Sequence, residues 1–268
     1  MSTPANFDAL RERLKLEAVL IARTGLHVGS GGSGDLDETD MAVLRDAEGL
    51  PFIPGSSLKG VMRSTVEALL RASDTVSRGL WACNPLETKA KDRNANACGW
   101  HPQGGRSKVD TGGHCAACRL FGSHVLASHV RFSDCMLLDR EAGAVITVRD
   151  GVAIDRDLRI ARGGQKYDFE VVAPGASFDV EVFVDNPEDW LLGLLSVAAD
   201  QLDAGFAAIG GFTSRGLGRV GFQWRRLERV TACELLEGKA ASVLEKNALA
   251  AELGRWRMAL SERAHGGE

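Results

Sequence analysis

Apolar residues first alternate at Leu14, Leu16, Ala18, Leu20 and Ala22, interleaved with Lys15, Glu17, Val19 and Ile21. A period of two predicts a strand over 14–28. The second set turns apolar, so part of this strand is expected to be buried on both faces. The period then changes. Leu58, Val61, Met62, Val66, Leu69 and Leu70 follow helical spacing, which predicts a helix from Ser57 to about Ser73 with one buried face. Pro54-Gly55 makes the turn before it, and Ser56 or Ser57 is expected to cap it. Val130, Phe132, Asp134 and Met136 alternate against Arg131, Ser133 and Cys135. They predict a strand over 130–138, with 144–148 extending the pairing. Tyr167, Phe169 and Val171 alternate, as do Phe178, Val180, Val182 and Val184, on either side of a Pro174-Gly175 turn. Asp185-Asn186-Pro187-Glu188-Asp189 carries the cap, proline and acids of a helix start. Trp190, Leu191, Leu194, Leu195, Ala198 and Leu202 give that helix a buried stripe, and Gly205 stops it. Val220, Phe222 and Trp224 read as the last core strand, and 241–263 as a final helix.

Strand, helix, strands, helix, strand is the order of a βαββαβ, ferredoxin-like α+β domain. The length of 268 residues suits one such domain, 1–268, with insertions. Two stretches interrupt the pattern. Residues 75–126 are polar, with too few apolar positions for a core of their own, and read as an insertion. Residues 151–166 are charged and broken by glycine, and read as a protruding arm. A glycine-rich loop also spans 29–40, without the Gly-Lys-Ser/Thr ending that a phosphate-binding P-loop requires.

The insertion holds most of the candidate chemistry. Cys115 and Cys118 form a C-x2-C pair, a spacing that lets two thiolates grip one Zn²⁺. Cys83 and Cys98 complete a four-cysteine set, with His101 and His114 as alternative ligands. A structural zinc would give a segment without its own core a reason to fold. Six cysteines in a chain of this length do not read as a secreted disulfide framework. No apolar run reaches the ~18–20 residues of a membrane span, and the N-terminus has no apolar signal-peptide core. A cytoplasmic protein is expected.

The net charge of −4 weighs against a generically basic nucleic-acid binder. The distribution weighs the other way. Arg215, Arg219, Arg225, Arg226 and Arg229 crowd one late segment, and Arg156, Arg159, Arg162 and Lys166 crowd the arm. Lys59 and Arg63, four apart, share the polar face of the first helix. A lysine in a first turn opposes the helix dipole. A serine hydroxyl (Ser57), free backbone N–H groups and Lys59 together suit a phosphate. Gly210–Val220 places glycines around Arg215 and Arg219 just before a strand, the wrong order for a dinucleotide site. His27, near the end of the first strand, reads as structural.

Three further blocks carry a family resemblance: TGLHVGSG at 24–31, VLRD at 43–46 and PFIPGSSLKGVMR at 51–63. They resemble the N-terminal signature of the backbone subunits of type III CRISPR effector complexes (Csm/Cmr-type), in the RAMP superfamily. GGFTSRGLGRV at 210–220 resembles the same family's C-terminal glycine-rich loop. The resemblance implies a modified RNA-recognition-motif core, in agreement with the ferredoxin-like order. It implies that the protein binds a guide CRISPR RNA alongside copies of itself or paralogues and cuts a complementary target RNA. Ser57, Lys59, Arg63, Arg215 and Arg219 would contact the guide. The arm, about 149–173, would be the family's β-hairpin thumb, with Ile154, Leu158 and Ile160 as wedge residues. Asp40, three residues before Val43, falls where the family has its catalytic aspartate, which would act with Mg²⁺ or Mn²⁺. Here Met41-Ala42 stands where the family typically has a proline. The rivals are a backbone subunit that binds RNA without cutting, a nuclease that processes precursor guide RNA, and a zinc-containing structural protein without an RNA ligand.

Overall fold

A computed structural model describes residues 9–29, 40–72, 76–86, 98, 114–141 and 145–266. Its strands are β1 (Glu12–Ala22), β2 (Val130–Phe132), β3 (Ile146–Ile154), β4 (Ala161–Val172), β5 (Ser177–Asp185), β6 (Val220–Thr231) and β7 (Ser242–Glu245). Its helices are α1 (Gly55–Ala72), α2 (Ala116–Phe121), α3 (Asp189–Asp203), α4 (Ala232–Leu236) and α5 (Lys246–His265). The main sheet has the order β2-β5-β1-β6-β7, and β3-β4 forms a separate pair. Every pairing between these strands is antiparallel. The architecture is α+β, and its order is compatible with the ferredoxin-like arrangement.

The core follows from the alternation. Leu14, Leu16, Ala18 and Leu20 of β1 and Phe178, Val180, Val182 and Val184 of β5 are buried. The opposite face of β1 carries Lys15 and Glu17, which join Glu181 of β5 in an ion-paired strip. Val19 is the position of β1 buried on that second face. Leu58, Met62, Val66 and Leu70 of α1 and the apolar stripe of α3 cover the first face.

α5 lies on α3 at a close approach centred on Gly193. A Cβ there would sit 2.5 Å from the Trp256 carbonyl oxygen and 2.7 Å from Leu260 Cβ. Gly193→Ala is therefore expected to force the helices apart and lower stability by about 1–3 kcal/mol, the usual cost of overpacking, seen as a lower urea midpoint.

The structure corrects the sequence reading in several places. The first N–H of α1 is capped from across the chain: Gly55 donates to the Asp134 carboxylate at 2.8 Å. Ser56 and Ser57 lie inside the first turn instead. Leu69 faces outward, 42% exposed. Asp185 and Asn186 do not cap α3. Asp185 accepts from Arg13 at 2.6 Å, and Asn186 accepts the Arg11 N–H and donates to the Ala9 carbonyl, tying down the start of β1. The strand expected over 130–138 shortens to β2, after which Cys135 and Leu137 make isolated bridges to Ile53 and Phe178. Ser242–Glu245 adds an edge strand where a helix was expected. The described parts of the insertion share the main core: Leu80, Ala116, Ala117, Leu120 and Phe121 are buried with α1 and α3. A segment too poor in apolar residues to fold alone can still spend those it has on a neighbour's core.

Candidate functional site

The region predicted to be an arm is a two-stranded hairpin, β3 against β4, with Ile154 opposite Ala161 at its far end. Its turn is closed locally, because the Asp155 carboxylate accepts the Asp157 and Leu158 N–H groups, each at 3.0 Å. Ile154, Leu158 and Ile160 are 65%, 69% and 58% exposed. Val148 and Val152 are exposed along β3 as well. The hairpin thus presents an apolar edge to solvent, which the charged composition of 151–166 did not announce.

Asp40 sits at the hairpin's base. Its N–H donates to Asp168 Oδ1 and its Oδ2 accepts the Asp168 N–H, both at 3.1 Å. The next residues are zipped to β4: Met41 bridges Phe169, Val43 donates to the Glu170 carboxylate at 3.0 Å, and Arg45 pairs with it at 2.8 Å. Asp40 is exposed but held at two points, beside a second carboxylate.

An aromatic cluster joins this base to the glycine-rich loop. Phe169 and Phe212 have ring centroids 4.5 Å apart, and His27 and Phe212 5.2 Å. Phe212 lies in the left-handed region at φ 57, which costs about 1–3 kcal/mol for such a residue. Two ring pairs at roughly 0.5–1.5 kcal/mol each, beyond burial, offset that cost. His27 is buried, with Nδ1 2.7 Å from the Glu170 carbonyl oxygen, so Nδ1 carries a proton and the ring holds β4 in place. Tyr167 lies across Gly151, where a Cβ would meet its ring at 2.2 Å. Arg215 donates to the Tyr167 hydroxyl at 2.5 Å and its guanidinium stands 5.3 Å from the Phe212 ring. Arg219 is exposed and anchored by its own N–H to Thr24 Oγ1 at 3.1 Å. Of the remaining late arginines, Arg226 pairs with Glu228, and Arg229 with Glu12 and Glu252, so part of that cluster serves the fold.

The four cysteines converge. Cys83, Cys98, Cys115 and Cys118 are buried, with their sulfurs all within 4.8 Å of one another. Cys83 and Cys118 Sγ are 3.6 Å apart. The Cys115 N–H points at Cys98 Sγ and the Cys118 N–H at Cys115 Sγ, each at 3.3 Å. Zn–S bonds of ~2.3 Å in a tetrahedron need sulfurs this close, and backbone N–H groups aimed at sulfur favour thiolates. The set fits a zinc ion and leaves no open position. His114 Nε2 lies 3.2 Å from Ser123 Oγ, outside the group of four, and His101 lies outside the described residues. Cys135 is a different case: burial first, then Asp134 and Asp179, pushes its thiol up to about 12.

A family model of the RAMP superfamily matches residues 19–221. The chain belongs to the RAMP superfamily. It is also similar to the "CRISPR system Cms endoribonuclease Csm3" of Methanothermobacter thermautotrophicus, at 47% identity over 62 residues, which is 22% of this chain and 24% of that protein. The protein of the same name from Methanocaldococcus jannaschii is 41% identical over 59 residues, again 22% and 24%. The matched stretch therefore spans about a quarter of each curated relative.

On this RAMP domain the expected guide contacts separate into two groups. Arg215 and Arg219 are exposed on the glycine-rich loop. Lys59 and Arg63 are not on an open face, because the segment 114–130 packs over them. Lys59 Nζ donates to Ser128 Oγ at 2.9 Å. Burial, and then Arg63, push its ammonium below the usual lysine range. Arg63 is turned inward to Glu67, Gly122 and Cys118. Ser57 is half-buried in the first turn of α1. The sequence reading missed Asp168, Glu170, Tyr167 and Phe212, because nothing local shows that 167–170 lies against 40–45 and 212–215.

Proposed function

We propose that this chain is a backbone subunit of a type III CRISPR ribonucleoprotein, binding guide RNA and cutting a complementary target RNA. The observation that carries the reading is the fixing of Asp40 to the base of a hairpin whose outer end bears Ile154, Leu158 and Ile160. An apolar wedge that unstacks a nucleotide costs only a few kcal/mol per step. A carboxylate on the same rigid unit then faces a sugar-phosphate link freed from helical geometry. Asp40 acts there, either holding a divalent cation against the scissile phosphate or drawing the proton from the ribose 2′-hydroxyl. Asp40 and Asp168 fit a hard cation that takes one or two carboxylates and completes its shell with water and phosphate oxygens. When bound, Mg²⁺ or Mn²⁺ would stabilise charge on the phosphoryl oxygens. The zinc centre is structural. Arg215 and Arg219 on the glycine-rich loop, with Ser57 at the start of α1, hold the guide; Lys59 and Arg63, covered by the segment 114–130, leave that group.

We read the chain as one domain, 1–268, with the insertion at 75–126 and the thumb at about 149–173. Its working state is an assembly with guide RNA and with copies or paralogues of itself. No helix among the described residues is long and apolar enough to cross a membrane.

The test is cleavage by the assembled complex. A matched target should be cut only when paired to the guide. Cutting of repeat RNA alone would point to a processing nuclease, and tight guide binding without cutting to the binding-only subunit. Arg215→Ala/Arg219→Ala should weaken guide binding for all sequences alike and flatten its dependence on log salt by about one for each lost phosphate contact. An unchanged salt slope would remove both residues from the interface.

A further inference from the structure

α1 has a polar side as well as an apolar one, and part of that side is tied to the cysteine centre. Arg63 donates Nε to Glu67 at 2.7 Å and one terminal nitrogen to the Gly122 carbonyl at 3.0 Å. Its other terminal nitrogen stands 3.6 Å from Cys118 Sγ. Two turns on, Arg71 donates to the other Glu67 oxygen at 3.0 Å and to the Cys83 carbonyl at 2.5 Å. Glu67 is buried, at 7% exposure, between the two guanidiniums. Both arginines thus reach a zinc-ligand residue, Cys118 through its sulfur and Cys83 through its backbone, and a shared buried carboxylate fixes their geometry. A guanidinium can do this because its five donors form a rigid fork; a lysine ammonium cannot reach three separate acceptors in a plane.

Burying Glu67 with a single partner would be costly, since a buried charge must be paired and its hydrogen bonds filled. The two arginines meet that requirement, yet one would suffice to neutralise it. The second positive charge is matched by the cysteines. Four thiolates carry more negative charge than a divalent ion cancels, and they need a cation close by when buried.

We infer that Arg63, locked by Glu67 and Arg71, is a positioning residue of the zinc centre, holding the Cys118 thiolate and balancing the charge of the bound cluster. The inference rests on the zinc reading proposed above.

The experiment uses the full chain. Zinc content is measured first, then the rate at which excess chelator strips the ion from wild type, Arg63→Ala, Arg63→Lys, Arg71→Ala and Lys59→Ala. The proteins are also loaded with Co²⁺, whose thiolate absorption reports the ligand sulfurs directly. Arg63→Ala should lose zinc about 10–100-fold faster, the usual effect of removing an outer partner of a ligand, and should shift the cobalt–thiolate bands. Arg63→Lys should lie between it and wild type, and Arg71→Ala should be milder. Lys59→Ala, one turn away and bonded to Ser128, should match wild type in both measurements. If Arg63→Ala cannot be purified folded, Arg63→Lys and Arg71→Ala decide the matter. Zinc release at the wild-type rate from the Arg63 variants, or equal acceleration by Lys59→Ala, overturns the inference while leaving the centre intact. A wild-type chain without zinc overturns the centre itself.

Discussion

Stripping zinc from the cysteine centre is expected to cost the protein its cooperative fold rather than one loop. α2 is six residues long and is capped by Cys115, whose sulfur accepts from the Cys118 N–H. A helix this short has no stability of its own. Its Ala116, Ala117, Leu120 and Phe121 nevertheless fill the same core as α1 and α3. Releasing them would unseat a wall of the main core and strand Arg63 and Glu67 without their partners. Cys115→Ser, or a chelator strong enough to take the ion, should therefore lower unfolding free energy by more than ~4 kcal/mol, the range reserved for loss of a metal or a buried network. Thermal melting with and without chelator measures it. Cys233→Ser is the control, since Cys233 is exposed and outside the group. Equal melting of metal-free and metal-loaded protein would show that the buried thiols pack adequately alone.

Legibility in the sequence tracked how local each cause is. β1, β5 and the stripe of α3 declare themselves because a buried face repeats every two residues or follows helical spacing, and both periods survive any tertiary context. The four cysteines were legible because zinc demands particular donors, whatever the path of the chain between them. What could not be read is long-range. The α1 cap comes from Asp134, and the inward turn of Lys59 and Arg63 depends on a segment some 60 residues away. Charge at helical spacing looks identical whether it meets water or a neighbour's carbonyls. Ser242–Glu245 is similar: four residues carry too little pattern to separate an edge strand from the first turn of a helix. Asp40 was placed by a resemblance spanning 24–63, while its contact with Asp168, 128 residues on, needed the fold.

That contact shapes the second large effect. Asp40→Asn keeps an oxygen to accept the Asp168 N–H and removes only the charge, so fold and guide binding should stay at wild-type levels. Target cutting should fall by at least ~10²-fold, the low end for a lost acid–base or charge-stabilising group. Asp40→Ala should cut no better, and its melting temperature reports the cost of the freed Asp168 N–H. Asp168→Asn separates two roles for the neighbour. If Asp168 only holds the Asp40 backbone, the amide oxygen serves and cutting persists; if its charge is needed beside the phosphate, cutting falls with it. Single-turnover rates on a guide-paired target across a Mg²⁺ and Mn²⁺ series make the measurement. A charge that holds a cation shifts the metal concentration needed, whereas a proton acceptor lowers the rate at saturating metal. Asp35, Asp37 and Glu38, outside the described residues, carry the same charge in the same loop. Should one of them abolish cutting while Asp40→Asn cuts normally, the catalytic carboxylate belongs to that position. The reciprocal Asp40–Asp168 bonds would then be a structural clasp for the hairpin.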